Sequence, residues 1–137
     1  MKPLRWPWLW LGLWALLVGA VIVLSLGSAP PGPDVPASDK WQHLVTYGVL
    51  AAGAVQVFRG GRPVLVAAVG LVLLGIGLEI AQGTLTSDRV MDWRDAVANT
   101  AGVGLGLLTR RTVARDVLLR AAPAPASAPA PAPTRGA

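Results

Sequence analysis

Nine polar side chains in this sequence have the types and spacing to do chemistry together. Lys40, His43 and Tyr47 stand at i, i+3, i+7, so a helix carries all three on one face. Glu79 and Gln82 stand at i, i+3, and Asp92, Asp95 and Asn99 repeat the i, i+3, i+7 spacing. Arg89 lies between those last two groups. Two chemistries are open to such a set. As a binding site, Lys40, Arg89 and a protonated His43 would hold an anionic head group, since Arg and Lys donors match phosphate well. Glu79, Asp92, Asp95 and Asn99 would then orient those cations or bond sugar and amide groups. As a catalytic site, His43 would act as acid or base, with Glu79 or Asp95 as its partner. A divalent cation bridging Asp92, Asp95 and Glu79 would recruit phosphate in that second reading. Carboxylates outnumber cations in the set, which opposes an anion unless some are protonated.

What the chain lacks narrows the choice. It has no cysteine, hence no disulfide framework, thiolate metal site or cysteine nucleophile. With one histidine, a single chain cannot build a metal site mainly from imidazoles. There is no nucleophile elbow, phosphate loop or paired-histidine motif. No cofactor and no resident metal is expected. Transport with Glu79 as a proton carrier would require an oligomer, because four helices leave little room for a pathway. Each residue also has a plainer structural account. Glu79 could be clipped by Arg89 or Lys40, Asn99 could bond a backbone, and Asp92 and Asp95 could cap a helix whose dipole favours anions. That account serves the residues singly better than as a set, because ionisable groups in a membrane default to function.

These side chains must be positioned by helices in lipid. The composition is 53% hydrophobic and only 14% charged, against roughly 25% charged in soluble domains. One soluble core of 137 residues could not hide that much apolar surface. The first apolar run, about Trp6–Leu26, is close to the ~20 residues that cross the hydrocarbon layer. A cleaved signal peptide is the rival reading, but its apolar region usually spans only ~7–15 residues. Trp6, Trp10 and Trp14 form one helical stripe along this run. A Pro- and Gly-containing loop follows over residues 27–40, with Asp39 as a cap for the next helix. The second segment is Trp41–Phe58, the third Val64 to about Gln82, and the fourth, short and marginal, about Asp95–Leu108. Arg59-Gly60-Gly61-Arg62-Pro63 is a tight turn, with Pro63 suited to a helix start. Gly102 and Gly106, and in the third segment Gly70, Gly75 and Gly77, form small-residue patterns that let helices approach closely. Gln56 lies away from the polar set and is expected to bond a neighbour. From Ala121 the Pro/Ala-rich tail is expected to be disordered. The expected fold is all-α, a multi-pass bundle of about four spans.

Cation placement sets the expected orientation. With the N-terminus inside, Lys2, Arg5, Arg59, Arg62, Arg110, Arg111, Arg115, Arg120 and Arg135 are cytoplasmic, leaving only Lys40, Arg89 and Arg94 of the 12 cations outside. Both termini are therefore expected in the cytoplasm, with the polar set in the outer leaflet. Trp6, Trp8, Trp41 and Trp93 fall at the expected interfaces. The net charge of +5 does not indicate nucleic acid, because the cations flank apolar runs and form no basic patch.

At these polar residues the sequence resembles the VanZ-like family of small bacterial membrane proteins. The matching elements are Asp39-Lys40-x-x-His43-x-x-x-Tyr47, Glu79-x-x-Gln82, and Arg89-x-x-Asp92-x-x-Asp95-x-x-x-Asn99-x-x-Gly102-x-x-x-Gly106. They cover roughly residues 39–109, the expected core of three spans. Residues 1–38 would add a first helix and an outer loop, and residues 110–137 a basic cytoplasmic stretch and the tail. The resemblance implies a multi-pass protein of the cytoplasmic membrane, linked through the founding member to low-level resistance to the glycopeptide teicoplanin. It implies no known reaction. Membrane lipids and a lipid-linked envelope component are the expected partners, with a second copy of the chain as a further candidate.

Overall fold

The computed structural model describes residues 1–27, 38–86 and 91–125. Among these, the chain forms helices and no strand, with a single isolated bridge between Leu4 and Pro123. The helices are α1 (Pro7–Leu26), α2 (Ser38–Val57), α3 (Gly61–Leu85), α4 (Trp93–Leu108) and the short α5 (Val117–Ala121). Two 3₁₀ turns, Thr109–Arg111 and Val113–Asp116, join α4 to α5.

Two helices, α1 and α3, are long and apolar enough to cross a membrane. Neither α2 nor α4 meets that test, for different reasons. α2 has the length, at 20 residues, but its first turns carry Asp39, Lys40, Gln42 and His43. α4 has only 16 residues, about 24 Å of helix, short of the ~30 Å hydrocarbon layer.

The elements begin and end where local chemistry directs. Pro7 opens α1, where its missing N–H costs nothing. Asp39 sits inside the first turn of α2 instead of capping it, because the helix already starts at Ser38. α3 begins three residues before Val64 and runs three past Gln82, with Pro63 in its first turn, where no intrahelical donor is needed. Gly60 adopts φ 83°, a left-handed conformation that turns the chain between α2 and α3. Asp92 caps α4, its carboxylate accepting the Arg94 N–H at 2.9 Å.

The bundle is organised around the pairing of α2 and α4, the most extensive interface in the molecule. Glycine makes this possible. A Cβ on Gly102 would overlap the Leu44 carbonyl oxygen, and one on Gly106 would overlap that of Gly48. Gly75 of α3 meets Asn99 and Tyr47, with a Cβ position only 3.1 and 3.2 Å from them. Gly70 and Gly77 do not share this role: among the described residues no neighbouring helix comes within 4 Å of the position a Cβ would take on either. Tyr47, Leu50, Ala51, Ala68, Leu71 and Val103 form the core, against which Trp14, Val18 and Val21 of α1 pack. Trp14 also donates to the Leu50 carbonyl at 2.9 Å and meets Phe58 edge to face at 5.4 Å.

The end of the bundle formed by Phe58, Gly61 and Leu108 is closed by the N-terminal residues and the segment that follows α4. Lys2 is buried and pairs with Asp116 at 2.9 Å. Gln56 donates to the Ala114 carbonyl at 2.8 Å and accepts the Leu118 N–H at 3.1 Å. It thus bonds a neighbour and fixes the segment after α4. The disorder expected from Ala121 does not hold for residues 121–125: Ala121 ends α5, and backbone bonds tie Ala122 and Ala124 to Arg5 and Pro3; the rest of the tail lies outside the described residues.

Candidate functional site

The opposite end of the bundle holds the polar cluster. The N-terminal turns of α2 supply Lys40 and His43, the C-terminal half of α3 supplies Glu79, and the start of α4 supplies Asp92, Asp95 and Asn99. Antiparallel succession of α2 and α3 brings the start of one beside the end of the other. The α2–α4 glycine seam then brings Asn99 across to His43.

His43 is the centre of the cluster. Its Nδ1 lies 3.1 Å from Asn99 Oδ1 and 3.8 Å from Glu79 Oε1, and its Nε2 lies 3.8 Å from Asp95 Oδ2. With the Asn99 carbonyl as acceptor, His43 donates through Nδ1, and its Nε2 is turned toward Asp95. Burial deepens from rim to floor: the His43 side chain is 19% exposed and that of Glu79 only 3%. Asn99 and Tyr47 are buried beneath them. Among the described residues, neither Glu79 oxygen has a hydrogen-bond partner, nor do Asp95 Oδ1 and the Tyr47 hydroxyl.

Lys40 forms the rim, at 3.1 Å from Asp39, 3.3 Å from Asp92 and 3.4 Å from Asp95. The Asp95 contact is an ion pair at that separation and not a hydrogen bond, since Asp95 Oδ1 remains unbonded. The Asp92 carboxyl, outside the helix proper, is held below its ordinary range by the Arg94 N–H and by Lys40. Lys40 is therefore occupied by carboxylates, and the described cluster is acidic. This arrangement suits a cationic or hydrogen-bond-donating group better than a bare anion.

Most of the residues read from the sequence come together here: Lys40, His43, Tyr47, Glu79, Asp92, Asp95 and Asn99. Gln82 is buried near them but turns to α1, donating to the Ser25 carbonyl at 2.9 Å. Its role is to tie α1 to α3. Arg89 lies outside the described residues. Gly75 is a positioning residue that residue-type reasoning passed over as one of several glycines. Its sequence signal is its place one turn before Glu79, on the same helical face.

His43, Glu79 and Asp95 each offer one ligand atom, and these atoms lie within 4.8 Å of one another. Asp92, part of the bridging set expected from the sequence, is engaged by Lys40 and the Arg94 N–H instead. A cavity of about 690 Å³ lies at the other end of the bundle, lined by Lys2, Arg59, Arg110, Arg111 and Arg115 among apolar side chains. It is remote from His43, so the geometry of the buried polar groups marks the candidate site, and cavity size does not.

No family model matches the chain, and no curated protein or solved structure matches it.

Proposed function

We propose that this chain is a VanZ-like, multi-pass protein of the bacterial cytoplasmic membrane, which recognises the polar head of an envelope lipid or lipid-linked ligand. One observation carries the reading. Side chains from α2, α3 and α4 converge on His43 at one end of an apolar bundle, with buried polar atoms left unpaired among the described residues. In lipid such groups are costly unless they meet a partner. Four spans with both termini cytoplasmic would put this end at the outer surface, with α2 and α4 crossing as a closely packed pair. The surplus of carboxylates favours a head group that brings hydroxyl, amide or ammonium donors. A link to teicoplanin-type resistance rests on the resemblance of residues 39–109 alone.

The test is lipid mass spectrometry on protein purified in mild detergent, comparing wild type with Glu79→Gln and His43→Ala. One lipid class enriched with wild type and lost from both variants is the expected result. Identical bulk lipid in all three folded proteins would refute stable head-group binding.

An intramembrane hydrolase or transferase is the second reading, favoured by the orientation of His43. Asn99 fixes Nδ1 and leaves Nε2 facing Asp95, the disposition of a positioned general base. A His43→Ala variant that keeps its lipid but loses function in cells would favour this reading over binding alone.

A further inference from the structure

Four buried polar atoms meet where α2, α3 and α4 join, and none has a hydrogen-bond partner among the described residues: Glu79 Oε1 and Oε2, Asp95 Oδ1 and the Tyr47 hydroxyl. Buried polar atoms in folded proteins are almost always paired, so each exception needs a cause. Three of the four belong to carboxylates, which when ionised can only accept. The group they call for is therefore a cation or a donor. Around them, Asp92 and Asp95 share one described ammonium, that of Lys40, and Glu79 has His43 as its described neighbour at ion-pair distance. Lys40 reaches Asp95 from the rim and is shared with Asp39 and Asp92. The exposed Arg94 gives Asp92 its backbone N–H.

The remaining geometry is that of a ligand set. Metal-bound histidines usually donate their second ring N–H to a carboxylate or carbonyl, which fixes the tautomer. His43 does this through Nδ1 to Asn99, at 3.1 Å, and its Nε2 faces Asp95. One donor atom each from His43, Glu79 and Asp95 fit within a 4.8 Å span. Donors ~2.0–2.2 Å from a tetrahedral ion lie ~3.3–3.6 Å apart, so side-chain shifts of about 1 Å, with Glu79 moving from the Nδ1 side toward Nε2, would close the set. One imidazole and two carboxylates suit zinc or manganese. Calcium and magnesium prefer oxygen alone, and the thiophilic metals prefer sulfur.

We propose that His43, Glu79 and Asp95 bind one divalent cation of the zinc–manganese class, leaving coordination positions open to an incoming ligand. This rests on the reading of the same cluster as a ligand site and deepens it. A bound divalent ion turns an acidic cluster into an acceptor for a phosphate or other anionic oxygen, which the side chains alone would repel.

The experiment uses the full chain in mild detergent, stripped with a chelator and titrated with zinc chloride or manganese chloride alone. Calorimetry and elemental analysis of the re-purified protein give affinity and stoichiometry. One equivalent per chain is expected for wild type, with affinity lowered at least about tenfold in Glu79→Gln and His43→Ala. Asp116→Asn, at the opposite end of the bundle, should bind as wild type does. Glu79→Gln preserves shape and removes one charge, so retained helicity by circular dichroism separates lost binding from lost folding. Uptake below about a tenth of an equivalent by wild type, or equal affinity in wild type, Glu79→Gln and His43→Ala, overturns the proposal. Metal uptake without any co-purifying lipid supports the ion site and removes the head-group reading. Lipid retained unchanged by protein that takes up no metal does the reverse.

Discussion

His43 Nδ1 and Asn99 Oδ1 lie 3.1 Å apart, 56 residues distant in sequence, and join α2 to α4 at the level of Glu79. The contact links the packing of the bundle to the chemistry of its polar end. α2 and α4 can approach closely only because Gly102 and Gly106 face the backbone of α2. The same approach orients the imidazole toward Asp95.

Asn99→Ala removes the acceptor from His43 and leaves a void beside Gly75. A lost buried hydrogen bond with an orphaned donor costs about 1–3 kcal/mol. The melting temperature in detergent should fall accordingly. Zinc or manganese affinity should fall about tenfold or more, because the imidazole is no longer held. A variant that melts lower yet binds metal unchanged would show that Asn99 serves packing alone.

The glycines of α4 should separate sharply. Gly106→Ala puts a methyl group against the Gly48 carbonyl and the Ala51 side chain, where backbone must move, at an expected cost of about 1–3 kcal/mol. Gly104 has nothing within 4 Å of its Cβ position, so Gly104→Ala should change stability by less than ~0.5 kcal/mol. Thermal melts of the two variants side by side check this; equal effects would mean that α4 is rotated relative to α2.

Acid should weaken the contact of Lys2 with Asp116 before it affects the helices' apolar packing. The Lys2 ammonium holds the Asp116 carboxyl below its ordinary value of 3.8. As pH drops, the unfolded chain therefore takes up this proton first. The contribution is fully present above the ordinary value and is lost as pH falls through the lowered, folded one. Melts from pH 6 to pH 3 should show a smaller acid-dependent loss in Asp116→Asn than in wild type. Parallel curves would indicate that the Lys2–Asp116 pair adds nothing to stability.

The proposed topology predicts which loops face outward. The chain has no cysteine, so single reporters are unambiguous. Leu85→Cys, exposed at the end of α3, should react with a membrane-impermeant maleimide on intact cells. Arg59→Cys and Thr112→Cys should react only after the membrane is opened. Labelling of all three from outside would exclude four spans in this orientation.

Much of the site was legible in the residues themselves. Helical spacing placed Lys40 with His43, and Asp95 with Asn99, because 3.6 residues per turn leaves no other outcome once helices form, whereas Asp92 joins them as the extended cap before α4. Gln82 shows where such reading stops. It shares a face with Glu79, yet its amide turns aside to Ser25. Gly70 and Gly77 show the same limit, since they match the small-residue pattern but meet no neighbouring helix among the described residues.

The sequence by itself determined the helical class, the apolar runs and the groups of polar residues that travel together, all of which follow from composition and local periodicity. Only the tertiary structure decided which groups meet. Periodicity specifies a residue's angle around its own helix and leaves open the rotation of that helix against its neighbours. That rotation is set by the α2–α4 glycine contact and by Trp14 and Gln82 anchoring α1. It made His43 the hub of the cluster, gave Asp92 to Lys40, and left Glu79 buried without a hydrogen-bond partner among the described residues.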